Sequence, residues 1–493
     1  MKFPRLFALI ATQVTLLAFS QGVPSLESAR ALFLSGKLKE ASDMYAALTV
    51  VRPNLEEAHL RLVRTDIIGG NVAGAAQAAH QALSDLPNSA SAWAAAGDVE
   101  FRLSRFTEAT ASYNHALQLN PNSARAIYGI GRVDQLASMN KTAQTLFQKA
   151  YRLAPSDPDI ALARAYVMDS PAAVADALTE YLKLPDLRTP AEIEVVQAQI
   201  AEARYMGDRQ CHVAGAPSAV AISLRQISRS GPEIDSLVGG IGATANGIPV
   251  AINNSKPKSF RLLTQSPTVT ITRAFAKELR LPRIDGSSSD SKAYTVFADK
   301  IRISNIELSN CAVTVADTPF LGAADGSIGL PLLSDFLITL DLRKSSLRLE
   351  PLPASGGSTN SKFVDAAVSA DKKDFMRVLK QGSSLLIPTK VDNGMESLFT
   401  LSLENPFTFV SSSLPSKNLT GGNPTDLNPD LYACTINCAV LKFGQLEVRA
   451  AAIPTTMNPA GATIETGGVL GLNAIRGLTL VLDYRDGLIR FIR

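Results

Sequence analysis

The stretch Ser327–Leu349, SIGLPLLSDFLITLDLRKSSLRL, decides how the second half of the chain folds, because the chain contains it twice. The second copy is Val469–Phe491, VLGLNAIRGLTLVLDYRDGLIRF. Each copy has an apolar-Gly-apolar triplet, a short amphipathic segment, an alternating strand, an Asp-x-Arg and a last strand. The repetition predicts two copies of one β-rich unit.

A second repeated block lies upstream of each copy. Ile248–Ile271, IPVAINNSKPKSFRLLTQSPTVTI, aligns without a gap on Ile387–Val410, IPTKVDNGMESLFTLSLENPFTFV. The match includes Ile-Pro, an Asn-centred turn, a second proline and a final β-branched residue. A Gly/Ser-rich break, PASGGSTNSK at 353–362, separates the two sets of blocks. The second half is therefore predicted to be a duplicated domain.

Together these blocks resemble the lobes of the retropepsin and pepsin-like aspartic peptidases. The resemblance covers Ile248 to Leu349 and again Ile387 to Arg493. It implies an all-β, double-lobed body of acid-protease-like barrels, in which the glycine of each triplet permits a close crossing of chains. It also implies a cleft between the lobes.

The catalytic motif of that family is missing at both turns where the resemblance places it. The family uses one Asp-Thr/Ser-Gly in each lobe, because two aspartates that share a proton activate a water between them. Here the two sets of positions hold Leu263, Thr264, Gln265 and Ser402, Leu403, Glu404. Only the threonine matches, so we predict no catalytic residues and no peptidase activity.

Three further acids lie in the repeated blocks, and the pattern gives them structural places. Asp325 is a turn acid, whereas Asp341 and Asp483 end strands and are expected to pair with Arg343 or Arg485. An active aspartic endopeptidase with non-standard catalytic acids is the alternative hypothesis.

The first half of the chain has a different period. Prolines recur evenly at positions 53, 87, 121 and 155, a repeat length that is typical of helix-turn-helix solenoids. The clearest copy, SAWAAAGDVEFRLSRFTEATASYNHALQLNP from Ser91, resembles the tetratricopeptide consensus at Trp93, Gly97, Phe106, Ala109, Tyr113, Ala116 and Pro121. Small residues let the two helices of a hairpin approach, and an aromatic fills the wedge between neighbouring hairpins. We predict an all-α superhelix that ends in a solvating helix at 190–206.

The concave groove of such a solenoid is the predicted contact surface for a protein or peptide partner. Placing the helix positions on that face brings five arginines there or near it: Arg61, Arg64, Arg102, Arg125 and Arg132. Arginines suit the carboxylates of a partner. An ordinary solvated face is the alternative interpretation.

The N-terminus resembles an export signal. Residues 1–20, MKFPRLFALIATQVTLLAFS, place two cations before an apolar run that ends in Ala-Phe-Ser. This run is too short to span a bilayer comfortably. We therefore predict a secreted or periplasmic protein, bacterial in type, with no membrane span after signal cleavage.

The cysteines and the net charge give little indication of a metal site or of nucleic-acid binding. The four cysteines, Cys211, Cys311, Cys434 and Cys438, are sparse, so one disulfide or stray thiols are expected, and CTINC could close a local loop. The formal charge of +3 gives no support to nucleic-acid binding. No cofactor and no metal are expected.

The predicted organisation is a signal peptide at 1–20, a tetratricopeptide-like solenoid at 22–206, a linker at 207–240, one lobe at 241–352, a linker at 353–380 and a second lobe at 381–493. The leading hypothesis is a protein that binds a peptide or protein partner in the groove, the interlobe cleft or both, without cleaving it. A structural envelope scaffold is a further alternative. The oligomeric state is not predicted.

Overall fold

A computed structural model describes residues 24–184, 190–228, 244–286, 291–317, 323–353, 372–392, 394–414, 438–455 and 463–493. The predicted signal peptide and Cys434 lie outside these residues. Within them, every helix is too short or too polar to cross a membrane.

The first half is a helical repeat, as the even spacing of the prolines predicts. Its helices are α1 (Leu26–Leu34), α2 (Leu38–Val51), α3 (Glu56–Ile68), α4 (Val72–Asp85), α5 (Ala90–Arg102), α6 (Phe106–Leu119), α7 (Ala124–Leu136), α8 (Asn140–Leu153), α9 (Pro158–Ala165), α10 (Pro171–Leu182) and α11 (Pro190–Met206). The first residues of α3, α5, α7 and α9 recur with the same period as the prolines, and so do those of α2, α4, α6 and α8.

Contacts between small and aromatic residues hold the helix pairs together. A Cβ on Gly97 would lie 2.6 Å from the ring of Tyr113, and a Cβ on Gly131 would lie 2.7 Å from the ring of Phe147. Both rings are fully buried. Any larger residue at these glycines would push the paired helices apart, which explains the repeat pattern.

The chain then forms the first lobe. Its elements are β1 (His212–Val213), β2 (Val220–Ser223), β3 (Arg225–Ser228), β4 (Thr244–Ile252), β5 (Lys258–Leu263), β6 (Val269–Ile271), α12 (Arg273–Leu279), β7 (Ala293–Ile303), β8 (Ile306–Ala316) and β9 (Gly326–Gly329). Strands pair in the order β4-β5-β9-β6-β8-β7, and β7 pairs with β4, so the six strands close into a barrel. The stretch predicted as a linker at 207–240 contributes β1, β2 and β3.

The second lobe repeats this barrel. The first lobe ends with β10 (Phe336–Asp341) and β11 (Ser346–Pro351). The elements of the second lobe are β12 (Met376–Arg377), β13 (Leu379–Gln381), β14 (Ser384–Val391), β15 (Glu396–Leu401), β16 (Thr408–Ser411), β17 (Cys438–Phe443), β18 (Leu446–Thr455), β19 (Gly468–Leu470), α13 (Leu472–Ile475), β20 (Thr479–Asp483) and β21 (Leu488–Ile492). The closed order is β14-β15-β19-β16-β18-β17.

The registers of the two barrels match at the offsets of the sequence repeat. Phe260 pairs with Gly326 in the parallel pair β5–β9, and Phe399 pairs with Gly468 in the parallel pair β15–β19. The duplication predicted from the sequence is therefore present as two six-stranded barrels.

A shared sheet joins the two lobes. Its strands lie in the order β12-β21-β20-β10-β11-β2, and the antiparallel pair β10–β20 places Leu340 opposite Leu480. Buried side chains from both lobes form one continuous apolar cluster around this sheet. Because hydrogen bonds and core both cross the boundary, the lobes form one body.

The solenoid, α1–α11, packs against both lobes. Ile464 and Leu386 of the second lobe are buried in the same cluster as Phe101 and Phe106 of α5 and α6. The end helix predicted at 190–206 is present as α11. Its predicted solvating role was wrong, because Met206 packs in a buried cluster with residues of the first lobe.

A disulfide also joins the end of the solenoid to the first lobe. It links Cys211, just after α11, to Cys311 in β8. The local pairing suggested by CTINC receives no test, because Cys434 lies outside the described residues. The bond therefore crosses between domains and closes no short loop.

Candidate functional site

The positions of the missing catalytic motif meet at the boundary between the lobes. We call the turns Thr264–Thr268 and Ser402–Phe407 the interlobe floor. They follow β5 and β15, the strands after which the resemblance to aspartic peptidases predicts the catalytic motifs. Thr264 and Ser402 are buried in it. Leu263 ends β5, directly before the first turn, and Ser402 begins the second turn. Their correspondence to the family's aspartates stays a prediction.

The Thr264 hydroxyl connects the first lobe to the second. It accepts a hydrogen bond from Leu403 N at 3.2 Å. Its single proton faces two acceptors, Leu401 O at 3.0 Å and Glu404 Oε2 at 2.6 Å. All three partners belong to the opposite lobe, so the one residue that matches the family motif is a cross-lobe tie.

The Glu404 carboxylate crosses the boundary in the other direction. Its Oε1 accepts hydrogen bonds from Thr264 N at 2.5 Å and from Gln265 N at 3.1 Å. Its Oε2 accepts from Ser402 Oγ at 2.9 Å as well as facing the Thr264 hydroxyl. A carboxylate has about four acceptor positions, and here four donors surround it. The acid at the floor is therefore used for structure.

Two buried side chains support this arrangement from below. The Arg261 guanidinium donates to Glu404 O at 3.0 Å, and burial lowers the pKa of Arg261. The Tyr484 hydroxyl donates to Thr264 O at 3.1 Å, and burial raises the pKa of Tyr484 well above its usual range. Tyr484 therefore stays a neutral donor that fixes the backbone of the first-lobe turn.

The floor lacks the pair of acids that aspartic peptidases need. Among the described residues, Glu404 is the carboxylate hydrogen-bonded between the two turns, and no second carboxylate is bonded to it. One acid held by four donors cannot share a proton with a partner acid to activate water. The sequence identified Glu404 as the acid at this turn but did not show its role, because its partners Thr264 and Gln265 lie about 140 residues away in the chain.

The other acids in the repeated blocks are bound elsewhere. Asp341 Oδ1 accepts from the backbone N–H groups of Arg343 and Lys344. Asp483 is buried and lies 2.5 Å from Lys372 Nζ, so its predicted pairing with Arg485 was wrong. Lys372 lies in the stretch predicted as a linker, which the strand pattern did not place against the second lobe.

Asp325 has the structural place that its position in the pattern predicts. Its Oδ2 accepts a hydrogen bond from Ser259 N at 3.1 Å, and its carbonyl accepts from Thr272 N at 3.0 Å. These contacts fix the turn before β9 against the start of β5 and the start of α12. They use Asp325 as a turn acid.

Four of the five arginines predicted to bind a partner lie in ion pairs within the solenoid. The pairs are Arg61 with Glu57, Arg64 with Asp159, Arg125 with Asp98 and Asp159, and Arg132 with Asp98. A partner's carboxylate would have to compete with these acids, because Asp98 and Asp159 each bridge two arginines. The role of the four arginines in binding a partner stays a prediction.

Two acids of the solenoid have pKa values shifted in opposite directions. Burial acts to raise the pKa of Asp159, but the charges of Arg64 and Arg125 outweigh it and lower this pKa to about 2. Burial raises the pKa of Asp134 to about 6. Asp134 therefore stabilises the fold in its protonated form, an effect that is complete below about pH 3.8 and lost as the pH rises through 6.

Replacing Asp134 with asparagine is expected to raise the free energy of unfolding by about 1–3 kcal/mol at pH 7.5, because asparagine removes a buried charge. The gain should shrink towards zero near pH 4. Urea unfolding followed by the fluorescence of Trp93, the chain's single tryptophan, measures it. Asp159→Asn is the opposite control and should destabilise at pH 7.5; a pH-independent effect of Asp134→Asn would contradict the prediction.

A cavity of about 450 Å³ lies between the end of the solenoid and the first lobe. Apolar side chains form much of its wall, together with the disulfide; they include Val174, Leu178, Met206 and Leu332. Small-molecule sites have volumes of about 300–1,000 Å³. Sequence reasoning did not find this cavity, because its wall comes from segments far apart in the chain.

Solved structures resemble this chain through its helical half. A tetratricopeptide protein of Thermus thermophilus is 18% identical, with a TM-score of 0.30 over 36% of this chain and 97% of that one. A tetratricopeptide repeat protein of Parabacteroides merdae is 18% identical, with a TM-score of 0.27 over 36% of this chain and 70% of that one. PilF of Pseudomonas aeruginosa is 18% identical, with a TM-score of 0.26 over 37% of this chain and 86% of that one.

No protein-family profile and no curated protein sequence matches the chain. The first half is a helical repeat, and tetratricopeptide proteins are among its structural neighbours. The aspartic-peptidase resemblance of the second half stays a prediction.

Proposed function

We propose that this is an exported tetratricopeptide protein whose aspartic-peptidase-like body binds a peptide or protein partner without cleaving it. The interlobe floor is the observation that carries the proposal. The resemblance gives Leu263 and Ser402 the positions of the family's aspartates, and Glu404 is held by donors from both lobes. Binding an extended peptide by strand-like hydrogen bonds needs no acid, so the loss of chemistry leaves recognition possible.

The disulfide supports the proposed export. Disulfides form and persist in secreted and periplasmic proteins and are rare in the reducing cytosol. Cys311 is buried in β8 and bonded to Cys211. We expect N-terminal sequencing of the protein from a periplasmic or secreted fraction to begin near residue 21; a mature chain that retains residues 1–20 would contradict signal cleavage.

The absence of peptidase activity is directly measurable. Incubation of the full chain with unfolded casein between pH 3 and pH 7 is expected to give no fragments that a statine-type inhibitor of aspartic peptidases suppresses. Mass spectrometry of the products provides the measurement, and a set of fluorescent unfolded peptides tests binding in the same buffers. We expect some of these peptides to bind with dissociation constants in the micromolar range.

Glu404→Gln is the matched control for cleavage, because it removes the charge at the floor and keeps the side-chain shape. Inhibitor-sensitive fragments from the unmodified chain that disappear in Glu404→Gln would overturn the proposal in favour of a peptidase with non-standard acids. Absence of binding by every peptide of the set would overturn its binding part.

A further inference from the structure

A turn of the second lobe packs against the solenoid at Arg102, one of the arginines predicted to bind a partner. We call Thr463–Gly467 the docking turn. Glu465 N donates to Arg102 O at 2.7 Å, and the Ser104 hydroxyl donates to Glu465 O at 2.5 Å. Ile464 is 2% exposed and lies in the same buried cluster as Phe101. The docking turn thus supplies backbone bonds, an apolar anchor and an acid, the same groups that a short peptide offers.

The contact leaves the arginine unsatisfied. Arg102 is 2% exposed, and its Nε, Nη1 and Nη2 make no hydrogen bond with any residue that the structure describes. Its nearest ion-pair partner is Glu465, with Oε1 4.0 Å from Nη1. A buried guanidinium without hydrogen bonds is unfavourable, because it has lost its water without replacement. Burial accordingly lowers the pKa of Arg102.

Arg102 differs in this respect from the other groove arginines. Arg125 and Arg132 reach Asp98 within hydrogen-bonding distance, and Arg64 reaches Asp159. Their charges are met by acids of the solenoid itself. Within the described part of the chain, the acid that meets Arg102 belongs to the second lobe and lies too far away for a hydrogen bond.

We infer that the docking turn is an internal ligand of the solenoid groove, which an external peptide with an apolar residue followed by an acidic residue displaces. The apolar side chain would replace Ile464, and the carboxylate would bind the Arg102 guanidinium. A free peptide is not held in the geometry of the turn, so its carboxylate reaches bidentate distance where Glu465 does not. This inference rests on the peptide-binding part of the proposed function.

The probe for this inference is a fluorescein-labelled peptide that copies residues 461–468, GATIETGG, tested against the full chain by fluorescence anisotropy. The chain with Ile464→Ser and Glu465→Ala is expected to bind it at least tenfold more tightly than the unmodified chain, because the internal competitor is weakened. Adding Arg102→Gln to that variant should remove the gain. A probe with glutamine in place of its glutamate should bind at least tenfold more weakly.

Glu447→Ala is the matched control, because Glu447 is an acid of the second lobe that lies in β18 and pairs with Lys442. It should bind the probe as the unmodified chain does. Equal affinities of the unmodified chain and the chain with Ile464→Ser and Glu465→Ala would overturn the inference. So would the absence of any effect of Arg102→Gln in that variant.

Hydrogen exchange supplies a readout in the unmodified chain, independent of how the variants fold. A saturating excess of probe is expected to accelerate exchange of the Glu465 amide at least tenfold, since that amide is bonded to Arg102 O. Probe that binds with Glu465 still protected, and cross-links only to the lobes, would overturn the internal-ligand inference and leave the proposed binding function standing. Binding by no peptide of the unfolded set would overturn both.

Discussion

Replacing Thr264 with valine is expected to lower the free energy of unfolding of the β lobes by about 2–4 kcal/mol, because one hydroxyl serves both lobes. Valine has nearly the same shape, so the loss is one of hydrogen bonds. Leu403 N would lose its acceptor in a buried site, which costs about 1–3 kcal/mol, and Glu404 would lose one of its four donors. Urea unfolding followed by near-ultraviolet circular dichroism measures the change, and hydrogen exchange at Leu403 locates it.

Two variants separate the hydroxyl from the rest of the side chain. Thr264→Ser keeps the hydroxyl and should lose less than about 1 kcal/mol. Thr270→Val makes the same substitution at a half-buried strand position of the same lobe and should stay within about 0.5 kcal/mol of the unmodified chain. Equal losses in Thr264→Val and Thr270→Val would contradict the cross-lobe role.

The sequence predicts where the interlobe floor lies but not how it is held. The gapless alignment of the two blocks places Leu263 opposite Ser402 in the repeat, and strand registers agree with it. The hydrogen bonds of Glu404 depend on the distance between two lobes, and that distance is set by the shared sheet. Local pattern contains no measure of it, so an acid at a glycine position gave no sign of its contacts.

The solenoid shows the same division between local and long-range information. The even spacing of the prolines predicts the start of each helix because every repeat packs chiefly against its neighbours. The face that meets the second lobe has no such period. The sequence therefore predicts Arg102 as a groove arginine, whereas in the structure it is buried and its nearest ion-pair partner is Glu465 of the second lobe.

The solenoid is held against both lobes. The docking turn on α5 and the cluster of Met206, Ile284 and Phe297 hold the solenoid at two separate places, one on each lobe. A partner that displaced the docking turn would remove the contacts of Ile464 and Glu465, while Leu386 of the second lobe and α11 on the first lobe would keep theirs. Under the proposed function, the docking turn and an external peptide would compete for the same surface of the solenoid.

The disulfide is the contact that sequence spacing predicted least well. The short spacing of Cys434 and Cys438 suggested a local loop, whereas the bond in the structure joins Cys211 and Cys311 at a sequence separation of 100. Cysteines that are distant in sequence pair when the fold brings their backbones together. Here the short pair β1–β8, with His212 opposite Ser309, places Cys211 beside β8.

Replacing both Cys211 and Cys311 with serine is expected to lower the free energy of unfolding by about 3–5 kcal/mol. In the chain-entropy description, a cross-link that closes a loop of about 100 residues lowers the entropy of the unfolded chain and so raises its free energy by about 4.7 kcal/mol. The double variant leaves neither thiol free to pair with Cys434 or Cys438. Urea unfolding of the full chain, with and without a thiol reductant, provides the measurement.

The reductant distinguishes loss of this bond from damage to the lobe. It should bring the unmodified chain to the stability of the double variant and leave the double variant unchanged; an equal effect on both would contradict the prediction. In the folded state, removal of the disulfide should weaken only the structure next to it. Met206 also packs on Ile284 and Phe297 in a buried cluster, so α11 should stay docked. Hydrogen exchange should instead rise at Ala214, whose N–H donates to Glu307 O beside β1, while β20 in the shared sheet keeps its protection.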